Sequence, residues 1–215
     1  RGPPHSVRRV RHHGRPRPAV AARGCVRRQV FGYGSLVHKG TLPPHLAAVP
    51  VTVRGWRRAW RAPGPTAFGG ACAVSVWEHE GASIDGLLIT ISDDVWPQIV
   101  AREHKYEPLP LPEFPGAVIF KSSPEFDDWG SADYPVCLTY IDTIVGGMLD
   151  VFGPSGVEHF FATTDGWHVP IIDDRDAPLY PRHQPLSAQG RTLVDQALRT
   201  VDATVHSLEE RHVTS

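Results

Sequence analysis

A glutamate at position 103 is the residue whose place in the sequence points most clearly to chemistry. Each residue of a helix turns by about 100°, and at that angle Glu103 falls in an apolar stripe with Trp96, Ile99 and Val100. An ionised carboxylate among apolar side chains is costly, so burial raises its pKa and makes it a stronger base. The pattern allows two interpretations: a catalytic base, or a structural carboxylate paired with an arginine such as Arg57 or Arg58.

A glycine-containing turn is the second feature of chemical interest. The residues Tyr33-Gly34-Ser35-Leu36 follow a short apolar segment that ends at Gly32, which predicts a strand running into a turn. Glycines let the backbone approach a ligand closely, and consecutive N–H groups can bind an anion. Such turns are common, and this one lacks the spacing of a nucleophile elbow, a dinucleotide-binding loop or a Walker loop.

The elements that must position these residues follow from the hydrophobic pattern. Residues 30–33, 49–53, 71–77, 84–91, 117–120 and 136–140 are predicted strands, and glycines 81 and 86 indicate that 71–77 and 84–91 are adjacent antiparallel strands. Helices are predicted from a cap at residues 92–94 to Tyr106, at 142–151 and 156–163, and as a long amphipathic helix at 187–211. Strands come first and helices later, so we expect an α+β fold with a mixed, curved or barrel-like sheet and helices outside it.

Several short motifs together resemble one known family. The loop at 30–36 is similar to the Y-G-S-L substrate loop of the γ-glutamylcyclotransferase-like superfamily, and residues 101–106 resemble its R-E-x-x-Y segment, which carries the catalytic glutamate. Residues 54–60 resemble the G-W-R-R-x-[FW] strand of many members, and 85–88 resemble a G-x-[LV] strand. The order and approximate spacing of these motifs agree over about residues 29–112.

The resemblance implies an enzyme that forms 5-oxoproline from a γ-glutamyl peptide, amino acid or amine. The substrate's own α-amine would attack its γ-carbonyl, so the resemblance implies no cofactor and no metal. Glu103 would move the proton, Tyr33-Gly34-Ser35-Leu36 would bind the glutamyl group, and Gly32 and Tyr106 are further candidates for the site. Two alternatives stay open: a non-catalytic domain that binds a γ-glutamyl-like metabolite, and a γ-glutamyl acyl transferase or lyase of a biosynthetic pathway.

The twelve histidines of the chain do not indicate a metal site. No HExxH or comparable ligand spacing is present. The acidic run Asp173-Asp174-Arg175-Asp176 lacks the pattern of a calcium-binding loop, and we interpret it as a turn with local ion pairs. We therefore expect neither a metal nor a cofactor.

Charge divides the chain into two parts. Residues 1–28 hold nine arginines and no carboxylate, whereas residues 29–215 carry 13 basic and 23 acidic side chains. We expect 1–28 to be a disordered extension, either a basic arm for nucleic acid or a segment without a role, and 29–215 to be the folded domain. That domain is too acidic for nucleic acid to be an expected partner, and its apolar runs are too short to span a membrane. Three cysteines without a CxxC pair, and the lack of an export signal, predict a cytoplasmic protein.

Overall fold

One long antiparallel hairpin dominates the fold. In the computed structural model, which describes residue 2 and residues 27–209, strand β2 (Ala47–Thr66) pairs with strand β3 (Gly69–Ser92) along almost their whole length. The prediction of separate strands at 71–77 and 84–91 is wrong, because both belong to β3. Gly81 has a φ of 81° inside β3, and across from it Gly55 has a φ of 80° where the register shifts between Arg54 and Trp56. The glycines therefore mark a bulge and not a turn.

The hairpin belongs to an open six-stranded mixed sheet. Its strand order is β4-β5-β1-β3-β2-β7, and the added strands are β1 (Arg27–Gly32), β4 (Tyr106–Pro110), β5 (Ala117–Ser122) and β7 (Thr164–Asp165). β1 is antiparallel to β3 and parallel to β5. β4 and β7 lie at the two edges, so the sheet is not a closed barrel. Together with the helices, this sheet confirms the predicted α+β class.

Helix α1 (Trp96–Arg102) connects β3 to the sheet edge and is shorter than predicted at both ends. Its N-cap is Val95, which makes no side-chain capping bond. Asp93 does not cap the helix, because it forms an ion pair with Arg28. The helix does not reach Tyr106, which begins edge strand β4. Prolines are tolerated at a sheet edge, and Pro108 and Pro110 lie within this strand.

Helix α2 (Leu138–Ala162) is the central helix, and residues 138–148 are all buried. The strand predicted at 136–140 is reduced to β6 (Val136–Cys137), because the helix begins at Leu138. The two helices predicted at 142–151 and 156–163 are its two halves. They are separated by Gly153, whose φ of 69° is not helical and which is followed by Pro154.

Helix α3 (Ala188–Thr200) packs on α2 and ends earlier than the predicted 187–211. Asp202 adopts a left-handed φ of 52°, and Val205–Ser207 form strand β9, so apolar residues after position 200 do not continue the helical stripe. β9 pairs in parallel with β8 (Ile171–Asp173), which pairs in parallel with β6. Among the described residues, no helix is both long and apolar enough to cross a membrane.

Part of the N-terminal prediction lies outside the described residues. The proposed disorder and the two roles considered for the extension concern mostly residues 3–26, and Cys25 and the pair His12 and His13 lie there too. Arg27 and Arg28, which the prediction placed in the extension, begin β1. The predicted end of the last helix at Arg211 also falls outside the described residues.

The acidic run at 173–176 connects the helices. It contains a local hydrogen bond from the Arg175 N–H to the Asp173 carboxylate, but its ion pairs are with distant residues and not local as predicted. Asp174 is fully buried, and its carboxylate accepts hydrogen bonds from the backbone N–H and the hydroxyl of Thr139, in the first turn of α2. Arg175 donates to both carboxylate oxygens of Asp142 in α2, at 2.7 Å each, and to Asp195 in α3 at 2.7 Å. A carboxylate at a helix N-terminus interacts favourably with the helix dipole.

Replacing Asp174 is expected to destabilise the fold. The Asp174→Ala variant loses the cap of α2 and leaves buried donors without an acceptor, so its free energy of unfolding should fall by about 2–4 kcal/mol. Urea unfolding at pH 7 measures this change. Asp176→Ala, which alters an exposed carboxylate of the same run, should stay within about 0.5 kcal/mol of the wild type. Equal stability of the two variants would contradict the capping role.

Candidate active site

Strand order brings the glycine turn and Glu103 to the same end of the sheet. β1 runs parallel to β5 and β4 runs antiparallel to it, so the end of β1 and the start of β4 lie toward the same end of β5. The turn at 33–36 follows β1 directly, and Glu103 lies just before β4. The two motifs, 67 or more residues apart in sequence, therefore meet around one cavity.

The turn after β1 is buried and tightly packed. Its residues form a single 3₁₀ turn, Ser35–Val37, preceded by Gly34. A Cβ atom at Gly32 would lie 2.5 Å from the Cβ atom of Leu36, so Gly32 is required by packing within the loop. A Cβ atom at Gly34 would lie 2.8 Å from a methyl group of Val74 and 3.2 Å from the Tyr140 hydroxyl. The loop backbone thus lies directly against the side chains that line the site.

Glu103 is the residue that closes helix α1. Its N–H still donates to the carbonyl oxygen of Ile99 at 2.9 Å, which keeps it one turn beyond the buried Ile99. The predicted apolar stripe is only partly correct, because Val100 is 45% exposed. The Glu103 side chain itself is 15% exposed. Burial raises the pKa of its carboxyl above the ordinary value, although the positive charges of Arg102, Arg182 and His104 offset part of this rise.

Arg102 is the arginine that pairs with Glu103, with 3.1 Å between its Nε and the Glu103 Oε1. The same guanidinium donates to the Ser35 hydroxyl oxygen at 3.1 Å and to the carbonyl oxygen of Thr41 at 2.6 Å. Arg102 therefore joins the carboxylate to the glycine turn. Glu103 is thus paired with an arginine, as one of the two interpretations held, but the partner is Arg102 and neither Arg57 nor Arg58.

Arg57 and Arg58 have other partners. Arg57 forms an ion pair with Asp165, at 2.7 Å between Nη2 and Oδ1. Arg58 is fully buried, and its Nε donates to the carbonyl oxygen of Tyr33 at 2.8 Å. Arg58 thus supports the loop from behind without contacting Glu103.

Three tyrosines surround the carboxylate. The Tyr106 hydroxyl donates to the carbonyl oxygen of Val74 at 2.9 Å, and the Tyr33 hydroxyl donates to the carbonyl oxygen of Phe120 at 2.5 Å. Burial raises the pKa of Tyr33, Tyr106 and Tyr140 well above the usual range, so all three phenols stay protonated at neutral pH. Glu103 is therefore the group among these four that can accept a proton near neutrality.

Two adjoining cavities contain the site. The inner cavity, of about 40 Å³, is lined by the loop residues 33–36 together with Glu103, Tyr106 and Tyr140. The outer cavity, of about 410 Å³, shares Ser35, Glu103, Tyr106 and Tyr140 with the inner one and extends to the tip of the β2–β3 hairpin and to residues 180–182. A volume of about 300–1,000 Å³ is typical of small-molecule sites. Glu103 lines both the inner and the outer cavity.

All the predicted site residues line this cavity system except Gly32, which packs behind the loop. Three further residues were missed at the sequence level: Arg102, Tyr140 and Tyr180. The Tyr180 hydroxyl donates to the Ser35 hydroxyl oxygen at 2.8 Å, and its ring lies 4.7 Å from that of Tyr140, measured between centroids. Arg102 directly precedes Glu103 in the sequence, so an ion pair between them could have been considered. It was not predicted because neighbouring residues on a continuous helix do not face each other.

Comparison with known proteins gives matches among solved structures only. An uncharacterized human protein is 10% identical, with 79% of this chain and 98% of that chain covered and a TM-score of 0.48. A structure named gamma-glutamyl cyclotransferase is 9% identical, with 80% of this chain and 99% of that chain covered and a TM-score of 0.48. A yeast gamma-glutamyl cyclotransferase specific to glutathione is 14% identical, with 82% of this chain and 96% of that chain covered and a TM-score of 0.40.

The chain is similar to gamma-glutamyl cyclotransferases of known structure. No family model matches it, and no curated protein does. In residues 27–209, no group of three or more His, Cys, Asp or Glu side chains could hold a metal ion.

The pKa of Glu103 predicts a pH dependence for any reaction in which this residue is the base. Only the ionised carboxylate accepts a proton, so activity rises with pH as Glu103 loses its own proton, and the raised pKa places that rise at a higher pH than for an ordinary glutamate. Arg102→Gln removes a positive charge and should move the rise to still higher pH, whereas Arg102→Lys should move it less. Profiles of kcat/KM against pH for the three proteins test this, and a rise that stays in place in Arg102→Gln would contradict it.

Proposed function

We propose that this chain is a γ-glutamylcyclotransferase-type enzyme, which forms 5-oxoproline from a γ-glutamyl compound. The observation that carries the proposal is the position of Glu103, a largely buried carboxylate of raised pKa that faces both cavities beside the turn at 33–36. This arrangement suits a reaction in which one side chain of the enzyme accepts a proton from one part of the substrate and delivers it to another part of the same substrate.

The reaction depends mainly on how the enzyme positions the substrate, because both reacting groups are already present in it. The α-amine and the γ-carbonyl belong to one molecule, so holding the glutamyl arm folded brings nucleophile and electrophile together. The inner cavity has space for about three water-sized groups, at about 10–15 Å³ each. It is therefore suited to the α-amino end of the glutamyl group, with the rest of the compound extending into the outer cavity.

Glu103 would act in both proton transfers. Its carboxylate accepts a proton from the α-ammonium group, the freed nitrogen attacks the γ-carbonyl carbon, and a tetrahedral intermediate forms. The bond from that carbon to the amide nitrogen then breaks, and Glu103 returns the proton to the departing amine. The ring nitrogen loses the second proton of the former ammonium group to solvent, through the Glu103 carboxylate once it is ionised again. The products are 5-oxoproline and the free amine, and neither water nor a covalent enzyme intermediate is required.

Ser35 is placed to assist by hydrogen bonding. Its hydroxyl oxygen already accepts hydrogen bonds from Arg102 and Tyr180, so its own hydrogen is available to a substrate oxygen. The Arg102 and Tyr180 contacts fix the hydroxyl before substrate arrives. A fixed donor next to the reacting carbonyl stabilises the oxyanion without reorganisation.

Product analysis of the purified protein tests the proposal against its alternatives. The protein is incubated with γ-glutamyl-alanine, glutathione and γ-glutamyl-lysine, with and without a second amine, and products are identified by mass spectrometry. Release of 5-oxoproline supports the proposal. A new γ-glutamyl amide formed with the added amine would favour an acyl transferase, and binding without any product would favour a non-catalytic domain.

A further inference from the structure

A second polar cluster lies behind the loop at 33–36, away from both cavities. The His159 ring in α2 contacts the Asp85 carboxylate in β3, at 2.6 Å between Nδ1 and Oδ2. Their side chains are 32% and 15% exposed, so this pair lies between the surface and the core. Neither Asp85 nor His159 lines the inner or the outer cavity, and the proposed reaction does not use them.

Arg58 connects this pair to the loop through hydrogen bonds. Its guanidinium donates to the backbone carbonyl oxygen of Asp85, and to the Thr163 hydroxyl oxygen at 3.0 Å. The Thr163 hydroxyl in turn donates to the backbone carbonyl oxygen of His159 at 2.6 Å. A closed ring of contacts therefore runs through four residues: Asp85, Arg58, Thr163 and His159. From this ring the Arg58 Nε donates to the carbonyl oxygen of Tyr33 at 2.8 Å, where the loop begins.

Asp85 also balances the charge of Arg58. The guanidinium is fully buried, and among residues 27–209 it forms no ion pair. Burial lowers the pKa of Arg58 to about 9, and the nearby negative charge of Asp85 opposes this shift. A buried cation is costly unless a negative charge compensates it. Asp85 is thus a carboxylate that stabilises the cation beneath the loop.

We propose that Asp85 is a positioning residue for the loop at 33–36 and that His159 holds Asp85 in place. These two residues fix Arg58, and Arg58 fixes the carbonyl group of Tyr33. The loop then presents the Ser35 hydroxyl to substrate in one orientation. A donor that is fixed before the reaction needs no reorganisation to stabilise the oxyanion. The effect on 5-oxoproline release rests on the proposed function, whereas the effect on the loop does not.

Hydrogen–deuterium exchange of the loop tests the proposal without a substrate. Asp85→Asn keeps the shape of the side chain but removes its charge, so the amides of Val37 and His38 should exchange about tenfold faster. Both amides donate to carbonyl oxygens within the loop, so their exchange reports on its local opening. Amides of helix α3 should exchange at the wild-type rate, whereas a purely structural role would accelerate both segments together. Unchanged loop exchange, or equal acceleration in both segments, would overturn the proposal.

Steady-state kinetics with γ-glutamyl-alanine test the effect on the reaction. A small displacement of the loop should lower kcat of Asp85→Asn by about 10–100-fold. KM should change less, because the contact with the oxyanion forms in the transition state. The matched control is Glu80→Gln, which neutralises an exposed carboxylate of the same strand and should keep wild-type kcat. A rise in KM alone, or wild-type kcat in Asp85→Asn, would contradict the positioning role.

Two substitutions of His159 keep the test independent of whether Asp85→Asn folds. His159→Ala removes the contact with Asp85 at a partly exposed position, and it should lower kcat and accelerate loop exchange by about threefold each. His159→Asn can place an amide N–H where the ring Nδ1 lies, so it should restore both quantities. Equal values in the two variants would remove His159 from the proposal. If the wild type releases no 5-oxoproline from any γ-glutamyl compound, the proposed function fails, and the exchange measurements alone decide the positioning role.

Discussion

The variant Glu103→Gln is expected to lower kcat for 5-oxoproline release by about 10²–10⁴-fold. This is the range that a positioned acid–base group contributes to a reaction, and Glu103 would serve both proton transfers. Glutamine has nearly the same shape as glutamate and can keep a hydrogen bond to Arg102, so substrate binding and KM should change much less. A steady-state assay of 5-oxoproline at neutral pH gives both parameters.

Stability measurements show whether such a loss comes from chemistry or from unfolding. Burial raises the pKa of Glu103, so the fold disfavours its charge, and a neutral glutamine should unfold at about the same urea concentration as the wild type. Glu107→Gln is a matched control, because Glu107 is an exposed glutamate of the neighbouring strand β4. That variant should retain wild-type kcat. Turnover by Glu103→Gln within a few-fold of the wild type would remove Glu103 from the mechanism.

The meeting of the glycine turn with Glu103 could be predicted by resemblance but not by pattern alone. Hydrophobic periodicity placed Glu103 near buried residues, and the structure agrees for Ile99. The contact itself depends on β5 lying between β1 and β4 with one parallel and one antiparallel pairing. Strand order of this kind is set by long-range packing, which local sequence does not report.

Errors in the predicted elements also have local physical causes. Gly81 and Gly86 were interpreted as the boundary between two adjacent strands, but Gly81 lies opposite Gly55 in a bulge within one continuous strand. The last helix was extended because apolar residues continue at four-residue spacing beyond Thr200. Asp202 breaks the helix there, and Val205, 42% exposed, belongs to strand β9. In both cases the tertiary pairing decided between two structures that the local pattern allows.

The pairing of Arg102 with Glu103 shows that a helical wheel does not predict side-chain contacts at the end of a helix. On a continuous helix residues 102 and 103 would point about 100° apart. The helix ends at Arg102, and Glu103 takes φ and ψ values of −95° and 35°, outside the helical range. This change lets the two side chains form an ion pair that also holds Ser35. Helix ends are the least predictable part of an element. In this protein the C-terminal end of α1 places Arg102 and Glu103 in the candidate site.

The variant Arg58→Ala is expected to be the most destabilising single change in the vicinity of the site, lowering the free energy of unfolding by about 3–5 kcal/mol. The fully buried guanidinium donates to three oxygens that belong to separate parts of the fold: the carbonyl of Tyr33, the hydroxyl of Thr163 and the carbonyl of Asp85. Removing it leaves these acceptors without a donor and opens a cavity beneath the loop. Urea unfolding at pH 7 measures the change.

The adjacent residue supplies the matched control for Arg58. Arg57→Ala removes an arginine whose ion pair with Asp165 is partly exposed, with side-chain exposures of 22% and 31%. Partly exposed pairs contribute about 1 kcal/mol or less, so this variant should remain close to the wild type in stability. Burial lowers the pKa of Arg58 to about 9, so the guanidinium remains charged at pH 7 and the comparison is between two cations that differ in burial. Equal destabilisation by the two substitutions would show that the three acceptors find other donors, and that Tyr33 and its loop do not depend on Arg58.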